Sequence, residues 1–159
     1  MSKDHIDTAF GNLVENEEWQ FSEEGTFLFT LFEGEHTIHE LHLQKHSTGG
    51  MLCFSCTTGI DVNLKHKSEL LTFLNRVNIE LNVGRFVFDE HDNHLYYLYG
   101  WIVSSEENHE VLEKQIEEIA LIALLACETY YPLFQAVQWG GLTPDHAALL
   151  LNDDEAGHA

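Results

Sequence analysis

SELLTFLNRVNIELNVGRFVFDEHDNHLYYLYGWIV, residues Ser68 to Val103, is the stretch whose reading decides the fold. Leu70, Leu71, Phe73, Leu74 and Val77 fall on one face at helical spacing, so the segment opens with a short amphipathic helix. Ser68 is its candidate cap, and the helix is expected to end near Glu80, before Gly84. Arg85 to Asp89 and His94 to Val103 then read as two strands of a hairpin. Its tip, Glu90 to Asn93, has turn chemistry. In the second strand Leu95, Tyr97 and Tyr99 face one side, while Tyr96 and Leu98 face the other. Both sides can be covered, as in an interior strand or a dimer contact.

Working outward, Asp4 to Glu18 reads as a helix with Ile6, Phe10, Leu13 and Val14 in one apolar stripe and Asp4 as cap. Thr26 to Glu33, TFLFTLFE, is a β-branched and aromatic strand. His36 to His46 follows after Gly34-Glu35, with Thr37, His39, Leu41 and Leu43 on one face and His36, Ile38, Glu40, His42 and His46 on the other. Met51 to Thr57 is a third strand, and Thr58 to Lys67 reads as a connection. After the polar segment Ser104 to Asn108, a long helix runs to about Tyr131, where Pro132 is expected to end it. Its main stripe is Leu112, Ile116, Ile119, Ala123, Ala126, Cys127 and Tyr130. Leu121, Ile122, Leu124 and Leu125 make its last half apolar nearly all round, which requires cover on more than one side, from a sheet and from a partner helix or second subunit. Thr143-Pro144-Asp145 starts a short helix through Leu151. The whole is an α+β domain over residues 1–151, ordered α-β-β-β-α-β-β-α, an antiparallel sheet of about five strands flanked by helices. Residues 152–159 are expected to be an acidic disordered tail.

The chain is 159 residues long, which suits one domain with a single core. Hydrophobic residues make up 44% and aromatics 11%, too many for a disordered chain. Lys and Arg number 7 against 27 Asp and Glu, a net charge of −20. That balance argues against general binding to a phosphate backbone or an anionic membrane. Three dispersed cysteines do not suggest a disulfide framework. The N-terminus lacks an apolar signal core. The longest apolar run, Ile119 to Cys127, is short of the roughly 20 residues of a bilayer span. A cytoplasmic, reducing location is the expectation.

Three patterns invite chemistry. His36, His39, His42 and His46 suggest a metal, but His36 and His42 lie about 20 Å apart along a strand and His39 points to the other face. Cys53-Phe54-Ser55-Cys56 is a lone CxxC inside a predicted strand, where its thiols point to opposite faces, unlike the helix-end position of a reactive pair. Cys127 reads as core. Asp89-Glu90-His91-Asp92-Asn93-His94 lacks the Gly and terminal Glu of an EF-hand loop. No nucleophile elbow or phosphate loop is present in the sequence. No catalytic, cofactor or metal residue is therefore assigned.

LLTFLNRVN, then GRFVFDEHDNHLYYLYGWIVS, then a long helix ending YYPLF resemble the YbjN-like family, whose members share the fold of type III secretion chaperones. The resemblance covers roughly Thr26 to Trp139. Its markers are Asn75, Asn78, Gly84-Arg85-Phe86 and Tyr131-Pro132-Leu133-Phe134. It implies a small dimer of antiparallel sheets with helices alongside, and a binding or regulatory role without a shared catalytic site. The reading is a non-enzymatic chaperone- or adaptor-like protein, a homodimer that buries a partner protein's apolar segment, with basic-flanked partners favoured by the acidic rim. Tyr96, Tyr97, Tyr99, Trp101, Tyr130 and Tyr131 are the candidate partner or dimer surface. The alternatives are a metal- or thiol-dependent enzyme using the His-rich strand with Cys53 and Cys56, and a pH-responsive regulator using the eleven histidines.

Overall fold

In the computed structural model, residues 5–16, 22–24, 27–46, 50–104 and 108–157 are described, with only the backbone course for 22–24 and 153–157. Along the chain these form α1 (His5–Glu15), β1 (Ser22–Glu24), β2 (Phe27–Glu33), β3 (Ile38–Lys45), β4 (Met51–Asp61), α2 (Lys67–Glu80), β5 (Arg85–Asp89), β6 (His94–Ile102), α3 (His109–Gln138) and α4 (Pro144–Gly157). The class is α+β, and the order is the expected one with β1 added. The sheet runs β1-β2-β3-β4-β6-β5 and every pairing is antiparallel. Five longer strands make up its body, and three-residue β1 lies at one edge.

Strand periodicity divides the sheet into two unlike faces. Leu28, Leu41, Leu43, Leu52, Phe54, Cys56, Phe86, Leu95 and Tyr97 point to one side and are buried there. That side receives Ile6, Phe10 and Leu13 of α1, Leu70, Phe73, Leu74 and Val77 of α2, and the inner stripe of α3, all within one core. The reverse side carries His42, Cys53, Ser55, Tyr96 and Leu98, none of them buried. It has no helix over it among the described residues.

Four boundaries differ from expectation. β4 continues past Thr57 to Asp61, because Thr58 and Ile60 are buried and the Thr58 hydroxyl donates to the Leu95 carbonyl at 2.7 Å. The register shifts between Thr57 and Asp61. Gly59 sits there at φ 77°, with the Thr37 side chain where a Cβ would be; it marks a bulge in the strand and not its end. α2 begins at Lys67 after a 3-10 turn at Leu64–His66, without a Ser68 cap. Pro132 lies inside α3, which runs on to Gln138. Pro132 withholds one helix hydrogen bond from the Glu128 carbonyl, but Phe134 is seated edge-on between Phe73 and Phe86, ring centres 5.6 and 5.0 Å away. Burial of Phe134 and Val137 outweighs that loss. Finally, α4 continues to Gly157, so most of the expected tail is helical backbone; residues 152–156 contain neither Pro nor Gly to stop it. The Asp4 cap and Glu17–Glu18 fall outside the described residues.

Asn78 holds α2 to the edge strand. Its side-chain amide donates to the Phe86 carbonyl at 2.9 Å and its oxygen accepts from the Phe86 N–H at 2.7 Å. The side chain thus stands in for a neighbouring strand at β5. Gly84, at φ 71°, lies against the Tyr97 ring with no room for a Cβ.

By length and composition, α3 is long and apolar enough to cross a bilayer. Its Leu112, Ile116, Ala120, Ala123 and Cys127 are buried on the side that packs against the sheet, α1 and α2. On its outer side Leu121, Ile122 and Leu125 are 57%, 41% and 69% exposed, so the second cover that the sequence calls for is not supplied by the described residues of one chain.

Candidate functional site

The aromatic set chosen from sequence is divided by the fold. Tyr97 is completely buried; its hydroxyl donates to the Val83 carbonyl at 2.6 Å and its ring meets Phe86 edge-on. It is a core residue with nothing to offer a partner, which corrects that assignment. Tyr130 is half-buried against Phe86 and Phe134. Tyr99 and Trp101 stack at 5.6 Å on the helix-facing side, opposite Phe54 and Leu52. Tyr131 stacks on His36 at 5.2 Å, beside the turn between β2 and β3. Of the six, Tyr96 belongs to the bare face. Its hydroxyl donates to the Asp92 carboxylate, which holds Asp92 below its ordinary range. Burial, helped by that hydrogen bond, pushes the Tyr96 phenol up to about 12. Burial likewise raises Tyr97 to about 12.

The bare face is hollowed. A cavity of about 870 Å³ crosses β3, β4 and β6, with Phe27, His42, Met51, Cys53 and Leu98 in its wall. A second, of about 530 Å³, lies toward β5 among Val87, Phe88, Tyr96 and Leu98. Ser55 and Leu98 line both, so the two form one trough across the strands. His42 sits in its floor between the rings of Phe27 and Phe29, at 5.8 and 5.1 Å. The lining is mainly apolar with a few polar points, the mix that holds an apolar ligand in a chosen orientation. Cys53 is exposed, and among the described residues no base is hydrogen-bonded to it.

The histidines and cysteines regroup. Cys53 and Cys56 point to opposite faces, as strand parity requires. Cys56 instead meets Cys127, with the sulfurs 3.6 Å apart. His39, fully buried on β3, has Nδ1 2.7 Å from the Thr57 carbonyl and Nε2 2.5 Å from the Glu128 carboxylate. The hydrogen bond with Cys56, together with burial, raises the Cys127 thiol well above its ordinary value; a protonated thiol is a poor nucleophile. Sequence parity put His39 on one face with Leu41 and Leu43 and set Cys53 and Cys56 on opposite faces, and periodicity placed Cys127 on the apolar stripe of the helix. Their meeting lay beyond sequence reasoning because it joins residues 71 and 89 positions apart.

The hairpin tip is a turn. Asn93, at φ 64°, donates its backbone N–H to the Asp89 carbonyl. The Asp89 and Asp92 carboxylates accept from the His91 and His94 backbone N–H groups, so the oxygens that suggested a cation loop build the turn.

A family model described as "YbjN: Putative bacterial sensory transduction regulator" matches residues 12–136. The chain belongs to the YbjN family. Its fold is also similar to two solved structures. One is YbjN, described as a putative transcription regulator from E. coli, with TM-score 0.59 and 13% identity over 80% of this chain and 91% of that one. The other is the ExsC–ExsE complex, with TM-score 0.52 and 19% identity over 81% of this chain and 92% of that one. At such identities the likeness establishes the fold, which is the chaperone-like one that the YbjN family resemblance implied. No curated protein matches the chain significantly.

Proposed function

We propose that this YbjN-family chain is a non-enzymatic, cytoplasmic regulatory adaptor, which works as a homodimer and takes an apolar segment of a partner protein into the trough on the bare face of its sheet. The observation that carries the reading is the asymmetry of the sheet. Among the described residues the helix cover lies on one side, while Tyr96, Leu98 and Val87 on the other stand in an open, mainly apolar trough. Net charge −20 favours a segment with basic flanks. The similarity to a structure solved as a complex supports a partner-binding role. The outer stripe of α3, Leu121, Ile122 and Leu125, is the surface we assign to the second copy, since it supplies the missing cover for that helix.

Light scattering after size exclusion tests the dimer: wild type runs as two chains and Leu125→Glu as one. Affinity capture from the native cell with mass spectrometry tests the trough. Proteins recovered by wild type and lost with Leu98→Asp, at unchanged thermal stability, support it. Identical recovery by both would sink the assignment of the trough.

A further inference from the structure

We propose that His39, Cys56 and Cys127 form a binding site for one zinc ion, buried between the sheet and α3, with the Glu128 carboxylate beside His39 at its outer edge. The ligand atoms of His39, Cys56 and Cys127 lie within 4.8 Å of one another, and all three residues are buried. They come from β3, β4 and α3, so a bound ion would tie the long helix to two strands.

The donor set suits zinc. The Cys56 and Cys127 thiols, each giving up its proton as the metal binds, and the His39 imidazole make three ligands of borderline-soft character, and the Glu128 carboxylate, 2.5 Å from His39 Nε2, is the nearest fourth donor. Around a tetrahedral ion with Zn–S of about 2.3 Å, the two sulfurs must stand about 3.8 Å apart. The observed separation of 3.6 Å already matches. The second partner of the imidazole is also in place. Nδ1–H donates to the Thr57 carbonyl at 2.7 Å, the backbone bond by which ligating histidines present Nε2 to a metal. Nε2 then faces the Glu128 carboxylate at 2.5 Å. Zinc would part Nε2 and Oε1 to about 3.4 Å and draw the wider thiol–imidazole gaps in to about 3.6 Å. Both are side-chain movements.

Access is built in. The Glu128 side chain is 19% exposed while His39 is fully buried, so the carboxylate stands between the inner ligands and solvent. It is folded under Gly34, where a Cβ would collide with it and approach the imidazole. The backbone N–H of His36 donates to its second oxygen at 3.3 Å. The turn between β2 and β3 thus closes over the site, and only glycine at 34 leaves the carboxylate its place.

The test uses the full chain, reduced and stripped of metal, titrated with zinc against a chromogenic chelator and separately with cobalt(II). One equivalent of zinc should bind, and cobalt should give the thiolate charge-transfer and tetrahedral d–d bands that report sulfur ligation. Cys127→Ala and Cys56→Ala, whose folding is checked by circular dichroism, should bind zinc at least about tenfold more weakly and lose the thiolate bands. Cys53→Ala, on the opposite face, should retain both. As a second measurement, zinc should raise the thermal midpoint of wild type and Cys53→Ala and leave that of Cys127→Ala unmoved. Stoichiometric binding that survives Cys56→Ala and Cys127→Ala would place the metal on surface histidines and overturn the proposal. Absence of zinc binding by the reduced wild-type chain would overturn it equally.

Discussion

Tyr96 and Tyr97 are neighbours in the chain and sit on opposite sides of the same sheet. Tyr97 is closed in by the loop after α2, by β5 and by α3, with its hydroxyl tied to the Val83 carbonyl. Tyr96 looks onto an open trough with its hydroxyl tied to Asp92. Cys53 and Cys56 repeat the contrast on β4, one exposed and the other against Cys127. Nothing in the side chains themselves separates the members of either pair. Parity along the strand assigns each to a face, and the placement of the helices decides which face becomes core. A substitution therefore acts on stability on one side and, under the proposed function, on partner binding on the other.

The contrast is broken most forcefully by emptying the inner position. Tyr97→Ala removes a fully buried ring and is expected to lower unfolding free energy by about 3–5 kcal/mol. Tyr96→Ala should cost under about 1 kcal/mol while weakening partner capture. Denaturant unfolding of the two variants checks this, and similar losses would mean that the faces are not energetically distinct.

A smaller effect probes how the inner face is held at its edge. Asn78→Ala leaves the Phe86 N–H and C=O without their side-chain partners and should cost about 1–3 kcal/mol. Hydrogen exchange should show the Phe86 amide losing protection first.

A third effect depends on pH. The Tyr97 phenol is raised to about 12 in the folded chain, against an ordinary value of about 10. Below pH 10 both states keep the proton and the group is neutral to stability. Between about 10 and 12 the unfolded state releases it first, so stability falls as pH rises through that window. Tyr97→Phe should flatten this alkaline loss, at a cost near neutrality of about 1 kcal/mol for the lost hydrogen bond. Thermal midpoints across pH 9 to 11.5 provide the measurement.

The gentlest probe perturbs nothing. In the native, reduced chain a thiol reagent should modify Cys53 rapidly, and Cys56 and Cys127 only on unfolding. Rapid modification of all three would show that the inner face opens readily.

Much of this architecture was legible in advance. Period-two alternation sorted the residues of β3 and β6 into two faces, without choosing the inward one of β6, and the apolar stripe of α3 gave the side that packs inward. Where reading failed, a local signal was outvoted by contacts from afar. Pro132 predicted a helix end, and Phe134 seated between Phe73 and Phe86 carried the helix on. Gly59 predicted a loop and proved a bulge. Asn78, a marker of the family resemblance, spends both its hydrogen bonds on β5. Tyr97, chosen as surface for its chemistry, was claimed by the core.

The sequence by itself determined the order of elements, the faces of each strand and helix, and the acidic character of the surface, because propensity, periodicity and charge are local properties. Only the tertiary structure decided that β4 pairs with β6, that one side of the sheet is left bare by the described residues, and that His39, Cys56 and Cys127 converge beside Glu128. Each depends on how separate elements pack, and packing energy is shared among residues scores of positions apart that leave no mark on one another's local pattern.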